Sequence, residues 1–68
     1  MPQVAKVVTI IGSSPESFAQ AAQAAVTEAA KTIRGISGVD VVSMSAEVQG
    51  DQITEYRTTV NIAFAVER

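Results

Sequence analysis

Two β-strands and the turn between them are predicted within residues 39–66, which read VDVVSMSAEVQGDQITEYRTTVNIAFAV. β-Branched and aromatic residues alternate with polar ones on both sides of Gly50-Asp51, a dipeptide typical of a tight hairpin turn. We therefore predict antiparallel strands over residues 39–48 and 53–66. A β-bulge would shift the register by one residue. Without a bulge, the predicted facing pairs are Val41 with Val60, Val39 with Ile62 and Ser43 with Thr58.

A strand and a helix are predicted ahead of this hairpin. The β-branched stretch from Val4 to Ile11 ends at Gly12, which predicts a first strand closed by a turn. A serine cap followed by Pro15 at the first helical position then favours a helix. Apolar residues recur at steps of three and four from residue 18 to residue 33, which predicts one amphipathic helix. Gly35 is the expected left-handed residue after its last turn.

One face of the predicted sheet remains without a partner. The single helix can cover the face that carries Val39, Val41, Tyr56, Thr58, Val60, Ile62 and Phe64. Alternation places Val42, Met44, Ala46 and Val48 on the opposite face. A small domain normally hides such a face against another copy of itself or against a planar ligand, so these four residues are predicted to form an oligomer interface. The alternative is chance alternation on an edge strand.

Composition excludes several classes of protein. The chain has 68 residues, no Cys and no His, so it offers neither a disulfide nor a Cys/His zinc site and lacks the commonest catalytic base and thiolate nucleophile. We therefore expect one domain over residues 1–68 that is not an enzyme. The net charge of -2 argues against nucleic acid as a partner. Apolar runs too short for a membrane span argue for a cytoplasmic protein with no membrane partner.

Charged residues near the uncovered face are candidates for a site. Alternation directs Asp40 and Arg57 toward that face, and Glu47 lies near the hairpin end. Around a two-fold or three-fold axis one carboxylate becomes a pair or a ring, which can bind a cation such as calcium. Asp40 and Glu47 are therefore candidate metal ligands. The alternative is that both are solvated surface charges.

The order of these elements resembles the dodecin family over nearly the whole chain. The resemblance is carried by the turn Gly12-Ser13-Ser14-Pro15-Glu16-Ser17, the long helix, and the strands containing Val39-Asp40-Val41-Val42 and Tyr56-Arg57-Thr58-Thr59-Val60-Asn61-Ile62-Ala63-Phe64. It implies an α+β fold of β-α-β-β order, with a three-stranded antiparallel sheet wrapped around one helix. It also implies a homododecameric shell that stores flavins, each ring stacked on a Trp and hydrogen-bonded by a Gln. Some dodecins bind coenzyme A or metal ions.

Two of the implied flavin contacts are replaced in this chain. The family's stacking Trp falls on Gly38 and its Gln falls on Arg57, whereas Glu47 keeps a position near the flavin. Loss of an aromatic stack removes about 1–3 kcal/mol per ring, so we expect weakened flavin binding. The planar fork of Arg57 suits a phosphate, which allows FMN or coenzyme A besides riboflavin. The same replacements resemble a calcium-binding subgroup of dodecins, and a structural assembly that binds calcium between subunits is the alternative function.

Overall fold

The fold is a β-α-β-β arrangement with one antiparallel sheet, seen in a computed structural model that describes residues 4–66. Residues 1–3 and 67–68 of the predicted domain lie outside the described residues. The elements are β1 (Ala5–Ser14), α1 (Phe18–Ala29), β2 (Ile36–Gln49) and β3 (Gln52–Ala65). The strand order is β1-β3-β2, so β3 lies in the centre and both other strands are edges. The predicted α+β class and element order are confirmed.

β1 continues past Gly12, where the sequence predicted a turn. Gly12 is buried and pairs with Thr58 of β3 inside the ladder. A Cβ atom at residue 12 would lie 2.0 Å from the backbone oxygen of Ala21. Glycine is therefore required here because α1 crosses β1 at backbone contact, and the chain turns only after Ser14.

α1 begins later than the predicted start at Pro15 and ends earlier than its apolar periodicity predicts. Its N-cap is Ser17, whose hydroxyl accepts a hydrogen bond from the backbone N–H of Gln20 at 3.0 Å, so Pro15 lies before the cap rather than at the first helical position. The helix ends at Ala29, and Ile33 belongs to the turn that follows. Gly35 has the expected left-handed φ of 77°, but it does not end the helix as predicted, because the C-cap is Ala30.

The core lies between α1 and the two strands beneath it. The fully buried side chains of β3 are Thr58, Val60 and Ile62, and they face the alanines of the helix. The buried helix residues are Ala21, Ala25 and Ala29. Small side chains on this stripe allow the helix axis to approach the sheet closely, which is the same contact that requires Gly12.

Three register shifts in the β2–β3 hairpin correct the predicted faces. Val41 pairs with Val60 and Val39 with Ile62, as predicted, but Ser43 pairs with Thr59 because Val42 is an extra residue in a β-bulge. Beyond the bulge the alternation of β2 is reversed. The further pairs are Met44 with Thr58 and Ala46 with Tyr56.

Met44 and Ala46 therefore lie on the helix-side face of the sheet, and their prediction for the opposite face was wrong. Another shift precedes Val48, which pairs with Ile53 near the Gly50-Asp51 turn. Met44 is nevertheless 58% exposed, because α1 packs on β1 and β3 and barely contacts β2. Within the described part of the chain, no helix is both long and apolar enough to cross a bilayer.

Candidate functional site

The sheet face opposite α1, here called the outer face, carries the candidate ligand-binding positions. Along β3 it presents Arg57, Thr59, Asn61 and Ala63, which alternate with the buried core residues. Cross-strand pairing places Gly38 beside Ala63 and Glu47 beside Glu55 on the same face. No segment of residues 4–66 packs over this face, so all of these positions can meet another molecule.

Arg57 is held by carboxylates of its own chain. Its Nη2 donates a hydrogen bond to Oε2 of Glu47 at 2.8 Å, and the same nitrogen lies 3.8 Å from Oε1 of Glu55. The hydrogen bond that Arg57 donates to Glu47, together with the negative charge of both carboxylates, raises the pKa of the Arg57 guanidinium above its ordinary value. The hairpin positions these groups, because the cross-strand pair of Glu47 and Glu55 lies next to the pair of Ser45 and Arg57 on the same face.

This arrangement changes the expected role of Arg57. One guanidinium is matched by two carboxylates, so the group carries a net negative charge. An anionic ligand at this place must displace Glu47 from the guanidinium, whereas a neutral ligand can accept hydrogen bonds from the remaining N–H groups. The sequence did not predict the ion pair, although opposite charges on adjacent strands near a hairpin turn are the signal that could have found it.

Gly38 lies on the outer face at the other end of β2. A Cβ atom built on it would have no neighbour within 4 Å, so its position is an open notch beside Ala63. Ala63 and Arg57 are six residues apart on β3, which corresponds to about 20 Å along a strand. One chain therefore does not bring Gly38 together with Arg57 and Glu47.

The two candidate metal ligands are likewise separate. Asp40 pairs with Asn61 and Glu47 pairs with Glu55, which again places them about 20 Å apart along the sheet. Residues 4–66 contain no group of three acidic, His or Cys side chains suited to a metal ion. A single chain thus gives no support to the calcium alternative.

The predicted interface residues are exposed edge residues. The exposed fractions of Val42, Met44 and Val48 are 55%, 58% and 60%, and Ala46 is half-buried. They belong to one edge strand but not to one face, since the bulge at Val42 separates them. Apolar side chains are therefore exposed on both faces of β2.

Two polar features of the structure were not predicted from the sequence. On the outer face, the Thr9 hydroxyl donates a hydrogen bond of 2.6 Å to Oδ1 of Asn61, which fixes the side-chain amide of Asn61. At the sheet end away from the hairpin, Lys6 and Arg34 share a pocket with apolar walls. Their approach depends on the β1–β3 register and on the turn after α1, so the sequence alone does not bring these two residues together.

Comparison with known proteins defines the class. The geometry is that of a small β-α-β-β chain with one face of its sheet open. The family model described as Dodecin matches residues 4–67. No curated protein sequence matches the chain.

Solved dodecin structures have the same fold. A mutant of Thermus thermophilus dodecin is 30% identical, with a TM-score of 0.93 and 98% of each chain covered. Dodecin from Streptomyces coelicolor is 24% identical, with a TM-score of 0.92, 97% of this chain covered and 94% of that one. Dodecin from Streptomyces davaonensis is also 24% identical, with a TM-score of 0.93 and both chains covered completely. The chain belongs to the dodecin family.

Proposed function

We propose that this protein is a non-enzymatic shell of twelve identical chains that binds and stores a flavin, FMN or riboflavin, between its subunits. The observation that carries the proposal is the open outer face, on which Gly38, Glu47 and Arg57 are all accessible in one chain of dodecin fold. Coenzyme A is the other ligand considered. Its phosphates, like that of FMN, compete with Glu47 for Arg57.

The shape of the chain supports self-assembly. Its radius of gyration is 14.0 Å, whereas a compact domain of this length has about 11 Å. Its accessible surface is 5051 Å², whereas a monomeric protein of this mass exposes about 4,100 Å². The excess of about 1,000 Å² is similar to what each partner buries in a stable interface. The exposed apolar side chains of β2 are the surface that a second copy would cover.

A site shared between copies follows from the distances in one chain. Ala63, the cross-strand partner of Gly38, lies about 20 Å from Arg57 along β3, which is longer than a three-ring heterocycle. Gly38 and Arg57 can both contact one ring system only if they come from different copies. Glu47 would then reach the ligand with Arg57, because the two side chains are already hydrogen-bonded at 2.8 Å.

The notch at Gly38 predicts weak binding. The described aromatic side chains are Phe18, Tyr56 and Phe64, and they lie on the helix side of the sheet, where Phe18 and Tyr56 contact each other edge to face at 4.9 Å. Among residues 4–66 no aromatic ring is therefore available to stack on a flavin at the outer face. Binding then depends on shape and on polar contacts from Arg57 and Glu47.

Titration of FMN and riboflavin into the assembled protein, followed by flavin fluorescence, tests the proposal. Gly38→Trp should tighten binding of both flavins about tenfold or more, because an indole restores the stack. Gly38→Leu is the matched control, since it fills the notch without a π-face and should give a smaller gain. Arg57→Gln removes the charge and should affect FMN and riboflavin to different extents. Absence of binding by FMN, riboflavin and coenzyme A, in the wild type and in Gly38→Trp alike, would overturn the proposal.

A further inference from the structure

A second candidate binding site lies at the end of the sheet away from the hairpin. A pocket of about 340 Å³ opens between the turn that follows α1 and the ends of β1 and β3. This volume is within the range of small-molecule sites. Its walls are formed by Lys6, Thr32, Ile33, Arg34, Phe64, Ala65 and Val66.

The pocket collects the cations that the chain does not neutralise within residues 4–66. Lys31 pairs with Glu28 at 3.3 Å, and Arg57 pairs with Glu47. No carboxylate of those residues lies within 4.0 Å of the charged nitrogens of Lys6 or Arg34. Two positive charges thus share one small pocket in a chain whose overall charge is -2.

Four backbone N–H groups around the pocket already donate hydrogen bonds within the chain. The N–H groups of Thr32 and Ile33 donate to the carbonyl of Ala29, which closes the end of α1. The N–H of Ala65 donates to Gly35, and that of Val66 donates to Val4. The side chains of Lys6 and Arg34 and the Thr32 hydroxyl are among the polar groups left for a ligand.

The remaining walls are apolar. Ile33 packs against the core, and Phe64 is half-buried and pairs with Lys6 across β1 and β3. A ligand that fits must place a hydrocarbon or aromatic body on Phe64 and an anion between Lys6 and Arg34. A phosphate suits this pair, because the guanidinium binds two of its oxygens and the ammonium adds a point charge.

We infer that the Lys6–Arg34 pocket binds a phosphate monoester with an apolar body, at a site separate from the proposed flavin site. Lys6 and its cross-strand partner Phe64 lie on the helix-side face of the sheet, whereas Gly38, Glu47 and Arg57 lie on the outer face, so the two sites do not overlap in one chain. The inference does not require flavin to bind, and the two ideas fail independently.

Calorimetric titration of the assembled full-length protein with 1-naphthyl phosphate tests this inference. Inorganic phosphate lacks the apolar body and 1-naphthol lacks the anion, so both should bind at least about tenfold more weakly. Binding of naphthyl phosphate should weaken as the salt concentration rises, because the site is open to solvent.

Variants assign the binding to the pocket. Lys6→Gln and Arg34→Gln should each weaken naphthyl phosphate binding roughly fivefold or more. Lys31→Gln is the matched control: it removes a neighbouring cation that already pairs with Glu28, and it should change the affinity less than about twofold. Thermal melting verifies that each variant folds. If Arg34→Gln does not fold, Lys6→Glu tests the pocket by reversing the charge of Lys6. Equal binding of naphthol, unchanged binding in Lys6→Gln and Lys6→Glu, or no heat at millimolar ligand would each overturn the inference.

Discussion

The half of the sheet formed by β1 and β3 differs from the half formed by β3 and β2 in register, burial and contact with the helix. β1 pairs with β3 over ten residues without a shift, and α1 packs on this half. β2 pairs with β3 through three register shifts and leaves Val41 and Met44 more than half exposed. One chain therefore completes its core on one side of β3 only. We propose that a second copy covers the other side of β3.

Gly12→Val should have the largest effect, because residue 12 lies at the closest contact between α1 and the β1–β3 half of the sheet. The new side chain would begin 2.0 Å from the backbone oxygen of Ala21 and 3.0 Å from the backbone nitrogen of Ala25. Backbone atoms cannot turn away as a side chain can, so helix and strand must separate. We expect no cooperative unfolding transition and a large loss of ellipticity in circular dichroism.

Gly38→Val is the matched control in the β3–β2 half of the sheet. Nothing lies within 4 Å of its Cβ position, and its φ is not positive. The secondary structure should remain as in the wild type. A folded Gly12→Val protein would mean that α1 does not contact β1 as closely as described.

Ile62→Ala and Val39→Ala compare the two halves across one cross-strand pair. Ile62 is fully buried beneath α1, so its truncation should cost about 3 kcal/mol of unfolding free energy in denaturant titrations. Val39 is 44% exposed in one chain, and its truncation would cost less than about 0.5 kcal/mol if the chain stayed alone. In the assembled protein we expect about 1–2 kcal/mol for Val39→Ala. A cost near zero at high protein concentration would show that no copy covers β2.

Met44→Asp should break the assembly without unfolding the chain. Met44 is 58% exposed on the helix-side face of β2, where a charge is tolerated in water but not in an apolar interface. Size-exclusion chromatography with light scattering should show a smaller particle. Gln23→Asp, on the exposed surface of α1, is the control for the added charge and should preserve the mass of the wild type. Identical masses for both variants would place Met44 outside any interface.

Ser17→Ala should have the smallest effect on stability. The effect should be limited to α1 and the β1–β3 half of the sheet on which it packs. It removes the hydroxyl that accepts the Gln20 N–H at the start of α1, which typically costs about 1 kcal/mol. The melting temperature should fall while the assembled mass is unchanged. A change in mass would mean that the end of α1 contributes to assembly.

Much of the fold could be predicted from local patterns. Alternation along residues 53–66 and the Gly50-Asp51 turn correctly predicted β3 and the hairpin turn. The positive φ predicted for Gly35 is confirmed, but its predicted place at the end of the helix is wrong, because the C-cap is Ala30. The register was right at Val41 and Val39 but wrong at Ser43. The bulge at Val42 depends on how two strands twist around a helix that covers only one of them, and no residue in the sequence signals it.

Gly12 shows a second limit of the sequence. A glycine after a β-branched stretch is typical of a turn, but here it is the contact between β1 and α1. The alanines at residues 21, 25 and 29 were the available signal, because a stripe of small residues predicts close approach. Gly38, Glu47 and Arg57 were predicted from the sequence as ligand-binding positions. The Arg57–Glu47 ion pair and the separation of about 20 Å between Gly38 and Arg57 could not be predicted, because both depend on the register of β2 and β3.

Sedimentation velocity of the wild-type chain at micromolar concentration shows whether other copies complete β2 and the outer face. If β2 and the outer face are completed by other copies, the protein should sediment as one species of about 85 kDa, twelve times the 7.1 kDa chain. A folded species of 7.1 kDa that persists at this concentration would contradict the account, because a lone chain would then tolerate the exposed apolar face.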